Sequence, residues 1–128
     1  MTPALLHLTL AALLWLPYVG VFAALASAQQ GLGTTLGARD DMRLSGLAAR
    51  ADRAQRNHLD ALALFTVAAL VTHFAEAQTA ATSTLGWAFL AARAAYLPAY
   101  LLGIFALRSI IWFVGFGATV ALLVMALI

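Results

Sequence analysis

A polar face leads into an apolar segment of the chain, where it could form a binding site inside a membrane. Its members are Arg50, Arg53, Asn57 and Asp60, which precede the apolar stretch Ala61–Ala75. On a helix that advances about 100° per residue, these four side chains share an arc of about 80°. A charged side chain at the centre of a membrane helix costs about 2.5–3.5 kcal/mol on insertion-based scales, so the face should contact protein, water or a ligand.

Two later segments carry side chains of similar chemistry. Arg93, Tyr96 and Tyr100 share one helical face at about 100° per residue, and Arg108 is followed directly by Ser109. We expect the three segments to meet in one layer of the folded protein. The excess of positive charge predicts an anionic ligand, because a guanidinium pairs with a carboxylate through two parallel hydrogen bonds. Such a layer would also favour the ionised form of a thiol or phenol.

A structural role for the same residues is the alternative. Interfacial arginines often extend to lipid phosphates, which we expect of Arg39, Arg43 and Arg56. In this interpretation Asp60 neutralises Arg53 or Arg93 as an ion pair within the protein. The coincidence of polar faces on three segments favours a shared site over this alternative.

Other chemistries have weaker support in the sequence. Ser109 has no histidine partner at a suitable position, which argues against a serine hydrolase. His73 and Glu76 have helical spacing but no second pair of ligands, so we predict no metal site. The chain contains no cysteine, which excludes disulfides and cysteine-bound metals.

The composition identifies the elements that must position these side chains. The chain has 128 residues, of which 64% are hydrophobic and only 9% charged, whereas soluble domains contain about 25% charged residues. We therefore predict an all-α integral membrane protein, a four-helix bundle with spans of about 20 residues. The single domain covers residues 1–128, with spans near 3–28, 47–76, 85–102 and 108–128. Pro17 should kink the first span, and Ser45 should cap the second.

The arginines are distributed unevenly among the connections. Connection one and the start of the second span hold five, and Arg108 borders connection three, whereas connection two and both termini hold none. The positive-inside rule therefore places connections one and three in the cytoplasm and both termini outside. We expect an integral membrane protein with this orientation.

The combined pattern resembles a known family. The strings Arg50-x-x-Arg53-Ala-x-x-Asn57-x-x-Asp60, Arg93-x-x-Tyr96-x-x-x-Tyr100 and Arg108-Ser109 resemble the MAPEG family, the membrane-associated proteins of eicosanoid and glutathione metabolism. This family includes microsomal glutathione transferases, and the resemblance covers essentially the whole chain. It implies a homotrimer of four-helix subunits that binds glutathione between neighbouring subunits near the cytoplasmic side.

The resemblance also implies a role for each site residue. By matched position, glutathione would be contacted or organised by Arg50, Arg53, Asn57, Asp60, Arg93, Tyr96 and Tyr100. Arg108, with Ser109 beside it, would lie at the sulfur and favour the thiolate over the thiol. The predicted function is a glutathione-dependent transferase or peroxidase that acts on hydrophobic electrophiles at the membrane, with glutathione as co-substrate.

The chain departs from the family pattern at several positions. Asp60 stands where many members carry Glu, Tyr96 stands where others have His, and Pro98 interrupts the third motif. These departures resemble a bacterial branch of the family. They leave open a non-enzymatic member that binds a lipid or an anionic small molecule. A four-span exporter is disfavoured, because such proteins need a membrane carboxylate away from neutralising arginines.

Overall fold

The computed structural model describes residues 1–128 as helices joined by short connections. The helices are α1 (Pro3–Leu13), α2 (Trp15–Gln30), α3 (Leu32–Leu36), α4 (Gly46–Phe74), α5 (Ala80–Leu102) and α6 (Phe105–Met125). Helices α1 and α2 together form the first span, Pro3–Gln30, and α4, α5 and α6 are also long and apolar enough to cross a membrane. The prediction of an all-α protein with four spans is confirmed.

The first span is interrupted at Leu14, three residues before Pro17. Proline has no backbone N–H and its ring crowds the preceding turn, which breaks the regular helical ladder. The interruption expected from Pro17 is therefore present. It lies beside the polar residues of α4 and α5, because Ala11 and Tyr18 on either side of it bond to His58 and to the backbone of Arg93.

The second and third spans differ from the predicted ones at their N-terminal ends. Helix α5 begins five residues earlier than expected because Thr79 and Thr82 form a capping box, with Thr82 N donating to Thr79 Oγ1 at 3.1 Å and Thr79 N donating to Thr82 Oγ1 at 2.9 Å. Ser45 occupies the N-cap position of α4, but its hydroxyl makes no capping bond. It accepts instead from Gln29 Nε2 at 2.9 Å.

Helices α5 and α6 are joined by a tight turn at Gly103 and Ile104. Gly103 has a φ of 73°, in the left-handed region, which glycine adopts without steric cost. Helix α6 begins three residues earlier than expected, so Arg108 lies within its first turn. Helix α5 continues through Pro98 without a break.

Helix α4 is central, because it packs against the first span, α5 and α6. The largest core cluster lies among α1, α4, α5 and α6 and includes Phe65 and Phe89, whose rings stack at 3.8 Å. Alanines such as Ala68 and Ala118 complete this cluster, and small residues allow membrane helices to approach closely. The close packing of α4, α5 and α6 brings their polar faces together at one end of the bundle.

The two ends of the bundle have different charges. One end, here called the arginine end, carries every arginine except Arg93, which lies deeper. The opposite, terminal end contains the N-terminus, the α4–α5 connection and the end of α6. Ala4 N donates there to Gln78 Oε1 at 3.3 Å, and Leu122 packs in the same cluster as Ala4.

Candidate functional site

Tyr100 lies between two of the arginines predicted to form the site. Arg53 Nε donates to the Tyr100 hydroxyl at 3.2 Å. The Arg108 guanidinium lies 4.7 Å from the centre of the Tyr100 ring and 5.4 Å from that of Phe105, a favourable placement for a cation against aromatic rings. We call Arg53, Tyr100, Arg108 and Ser109 the outer cluster.

Arg108 is held by rings and by no hydrogen bond. None of its guanidinium N–H groups donates to a protein acceptor, and it forms no ion pair. A guanidinium is a donor only, so all of its N–H groups remain available to an anion. Ser109 beside it donates to Phe105 O at 3.0 Å and is half-buried.

Arg93 forms the centre of a second, deeper group. Its side chain is only 2% exposed, with Nη2 donating to Asn57 Oδ1 at 3.1 Å and Nε donating to His58 Nδ1 at 3.3 Å. Its guanidinium also lies 4.3 Å from the centre of the Tyr96 ring. We call Asn57, His58, Arg93 and Tyr96 the inner cluster.

No carboxylate accompanies this buried cation. The only salt bridge of the chain joins Arg56 to Asp52 at 3.1 Å on the surface. The alternative interpretation, in which Asp60 pairs with Arg53 or Arg93, is not met: Asp60 is exposed on α4 and makes no ion pair. A buried charge without a counter-ion is costly, so Arg93 favours an anionic guest.

His58 is a site residue that the sequence analysis missed. A guanidinium only donates, so Nδ1 of His58 must accept from Arg93, and Nε2 must carry the hydrogen that it donates to Ala11 O at 3.2 Å. The signal for its burial was present in the sequence. Helix α4 buries Ala48, Ala51 and Ala54 along one stripe, and His58 continues that stripe by one turn.

Tyr18 of the first span was also missed. Its ring stacks on the His58 ring at 4.5 Å with an interplanar angle of 12°. Its hydroxyl donates to Arg93 O at 2.5 Å. The first span therefore contacts both His58 and the backbone of Arg93, although its own sequence contains no charged residue.

The three predicted segments meet, as expected, at the outer cavity, but the two clusters lie at different depths and not in a single layer. Arg93 precedes the end of α5 by nine residues, which corresponds to about 13 Å at about 1.5 Å per residue, whereas Arg108 lies in the first turn of α6. The rings of Tyr96 and Tyr100 connect the clusters through an edge contact at 5.5 Å. The site residues therefore extend along α5 from the outer cluster to the deeper inner cluster.

Two adjoining cavities lie beside the outer and inner clusters. The outer cavity, of about 250 Å³, is lined by Asn57, Tyr96, Tyr100, Arg108, Ser109, Trp112 and Phe113. The inner cavity, of about 270 Å³, is lined by Asn57, Asp60, Ala61, Leu64, Phe89, Arg93, Trp112, Gly115, Phe116 and Thr119. Asn57 and Trp112 border both cavities. The outer cavity therefore offers Arg108 and two phenols, and the inner cavity offers Arg93 among apolar walls.

Two predicted site arginines line neither cavity. Arg50 Nη1 donates to Leu101 O at 2.9 Å, so it satisfies a carbonyl at the C-terminal end of α5, a favourable position for a cation. Arg53 is exposed and reaches the outer cavity only through Tyr100. No group of three or more His, Asp or Glu side chains lies close enough together to bind a metal ion.

The comparisons with known proteins agree with this arrangement of helices. No curated protein and no solved structure matches the chain at a significant level. The model of the MAPEG family matches residues 5–128, nearly the whole chain. The chain is thus an integral membrane protein that belongs to the MAPEG family.

Proposed function

We propose that the chain is a glutathione-dependent transferase or peroxidase that acts on hydrophobic electrophiles in the membrane. The observation that supports it best is that Arg93 and Arg108 border adjoining cavities, and neither has a carboxylate partner. Glutathione carries carboxylates and a thiol, which match two separate guanidinium groups. The MAPEG family includes glutathione transferases as well as non-enzymatic members.

In the proposed complex, the sulfur of glutathione lies in the outer cavity beside Arg108. The positive charge of Arg108 favours the thiolate, which is the reactive nucleophile. The Ser109 hydroxyl lines the same cavity, and a rotation about χ1 would let it donate to the sulfur. The carboxylates of glutathione bind Arg93 and Arg53, with Tyr96 and Tyr100 packed against the peptide.

The chemical step follows from the thiolate. The sulfur attacks the electrophilic carbon, a carbon–sulfur bond forms, and the leaving group departs with its electron pair. With a lipid hydroperoxide, the sulfur attacks one oxygen, the O–O bond breaks and an alcohol is released after protonation. A second glutathione then reduces the resulting sulfenic acid and forms the disulfide.

The apolar part of the inner cavity would hold the hydrophobic substrate, beside the glutathione carboxylate at Arg93. Leu64, Phe89 and Phe116 supply apolar walls between α4 and α6. Gly115 on α6 also lines this cavity. An added Cβ would fit at this position, because it would meet Ala92 Cβ at 3.5 Å, an ordinary van der Waals distance. The cavity adjoins the outer one at Trp112, so a lipophile would approach the sulfur from the membrane side.

The assembly and orientation are part of the same proposal. Arg53 and Asp60 are exposed in the single subunit, and a neighbouring subunit of a homotrimer would cover them and complete the glutathione site. The arginine end would face the cytoplasm, as expected for connections rich in arginine. Both termini would then lie on the opposite side of a bacterial inner membrane.

The test is the ultraviolet absorbance of the thiolate after glutathione is added to the purified protein in detergent. We expect a thiolate signal in the wild type, its loss in Arg108→Ala, and its retention in Arg56→Ala. Arg56 is a matched control, because it is exposed at the same end and paired with Asp52. Equal signals from both variants, or no binding by the wild type, would contradict the proposal.

A non-enzymatic binder of an anionic lipid is the second candidate. It is favoured by the inner cavity, in which one buried cation, Arg93, lies beside apolar side chains such as Leu64 and Phe116. Native mass spectrometry distinguishes the two candidates. A co-purified lipid that glutathione does not displace, together with no turnover of model electrophiles, would support the binder.

A further inference from the structure

His58 is the most completely buried polar side chain of the bundle that the proposed chemistry does not use. It is 0% exposed and lies where the first span, α4 and α5 meet. Both ring nitrogens have partners, and the two partners belong to different spans: Arg93 of α5 and Ala11 of the first span. We propose that His58 is a positioning residue that fixes the Arg93 guanidinium for an anionic guest. This inference rests on the proposed function.

The first step of the argument is the geometry of Arg93. A free arginine side chain has many rotamers, and ordering one on binding costs about 0.5–1.5 kcal/mol. His58 and Asn57 occupy the Nε–H group and one Nη2–H group at 3.3 and 3.1 Å. These two bonds define the plane of the guanidinium before any guest arrives. Its other donors remain available to an anion in the inner cavity, which Arg93 lines.

The second step concerns the charge of the acceptor. An imidazole that accepts through Nδ1 and carries its hydrogen on Nε2 is neutral. A carboxylate in its place would hold Arg93 equally well but would neutralise it and compete with the guest. A neutral acceptor therefore holds the guanidinium without reducing its attraction for an anion. The same logic applies to Asn57, whose amide oxygen is also neutral.

The third step is the anchoring of His58 itself. Tyr18 stacks on one face of the imidazole at 4.5 Å, and the bond to Ala11 O fixes the orientation of the ring and its tautomer. A residue whose own conformation is fixed by a second set of contacts can position its partner accurately. The first span therefore holds His58 through Ala11 and Tyr18, and His58 in turn holds Arg93.

The two nitrogens can be tested separately with two amides. In His58→Asn the amide oxygen replaces the Nδ1 acceptor, and the bond to Ala11 is lost. In His58→Gln the amide N–H replaces the Nε2 donor, and the acceptor for Arg93 is lost. His58→Leu removes both. We expect the Kd for glutathione to rise about tenfold in His58→Gln and His58→Leu, because a hydrogen bond to a charged group is lost, and to change less than about twofold in His58→Asn.

Thermal unfolding of the same variants separates affinity from stability. Each amide variant loses one buried hydrogen bond of His58, so both should unfold earlier than the wild type. A purely structural role for His58 would weaken glutathione binding in both amide variants together. An equal rise of Kd in His58→Asn and His58→Gln would therefore overturn the inference.

A second readout does not depend on glutathione. In protein labelled with ¹⁵N-arginine, the Nε–H of Arg93 should give a signal protected from exchange with solvent, assigned by its absence in Arg93→Lys. The signal should persist in His58→Asn and disappear in His58→Gln. If the wild type binds no glutathione but shows this pattern, the proposed function fails and the positioning of Arg93 stands. A protected signal that persists in His58→Gln would refute the positioning.

Discussion

The two ends of the bundle use polar side chains in different ways. At the terminal end, neutral groups satisfy one another: Thr2 Oγ1 and His73 Nδ1 are hydrogen-bonded at 3.2 Å, and Thr79 and Thr82 form a reciprocal capping box. At the arginine end and in the inner cluster below it, guanidinium groups meet aromatic rings, an amide and an imidazole, and no carboxylate pairs with Arg93 or Arg108. The terminal end has one buried polar atom without a partner, His7 Nε2, whereas Arg93 and Arg108 keep several unused donors.

The polar groups at the terminal end therefore serve mainly to stabilise the fold, whereas the guanidinium groups of Arg93 and Arg108 remain available to bind an anion. Satisfied polar groups contribute to stability, whereas an unpaired buried cation lowers it until an anion binds. Changes at the terminal end should therefore alter stability and leave affinity unchanged. Changes at Arg93, Arg108 and the cavities beside them should alter affinity or turnover and have little effect on stability.

The strongest test of this contrast is Arg93→Ala. We expect glutathione affinity to fall about 100-fold, because the loss of one partner of a buried charge interaction is costly, while the folded bundle persists. Isothermal titration calorimetry in detergent measures the change, with Arg56→Ala as the control. An affinity that falls equally in both variants would show that the effect is general electrostatics and not a site at Arg93.

A steric change at the terminal end should act on stability alone. A Cβ at Gly86 would lie 2.1 Å from His7 Nδ1, whereas a Cβ at Gly117 would meet nothing within 4 Å. We expect Gly86→Ala to lower the free energy of unfolding by about 1–3 kcal/mol through overpacking, and Gly117→Ala to have little effect. Thermal unfolding measures both, and similar midpoints for the two variants would contradict this close packing.

A steric change at the inner cavity should act on turnover instead. Gly115→Leu should fill the inner cavity and reduce kcat/KM for a bulky electrophile about tenfold, since a single methylene of pocket space changes discrimination by that order. At saturating glutathione the thiolate signal should persist, because Arg108 lines the other cavity. Gly115→Ala is the control, and equal loss of the thiolate signal and turnover in Gly115→Leu would argue against separate cavities.

The smallest effect should come from the helix caps. Thr79→Ala removes a capping hydroxyl and should lower stability by about 1 kcal/mol. Ser45→Ala should change it by only a few tenths, because the Ser45 hydroxyl makes no capping bond. Thermal unfolding compares the two variants, and a larger loss in Ser45→Ala would mean that α4 depends on this hydroxyl after all.

The sequence predicted the spans and the polar faces, because both depend on composition and helical period. It also contained the capping box of Thr79 and Thr82, which lies between the predicted spans near 47–76 and 85–102. The two depths could not be predicted from one helix at a time, since the positions of Arg93 and Arg108 depend on how α5 and α6 pack. Arg50 donates to a backbone carbonyl, and the pattern of side-chain types along a sequence cannot indicate such a partner.

The connector between α5 and α6 has a consequence for how the site assembles and fails. Only Gly103 and Ile104 separate the two helices, so Tyr100 and Arg108 are neighbours along the hairpin itself and meet without help from distant parts of the chain. The surroundings of Arg93 come from three spans and exist only when all of them are docked. Gentle heating should therefore release Arg93 from its partners while Arg108 still contacts the Tyr100 ring. The partly unfolded protein would keep the outer cluster but lose the inner one.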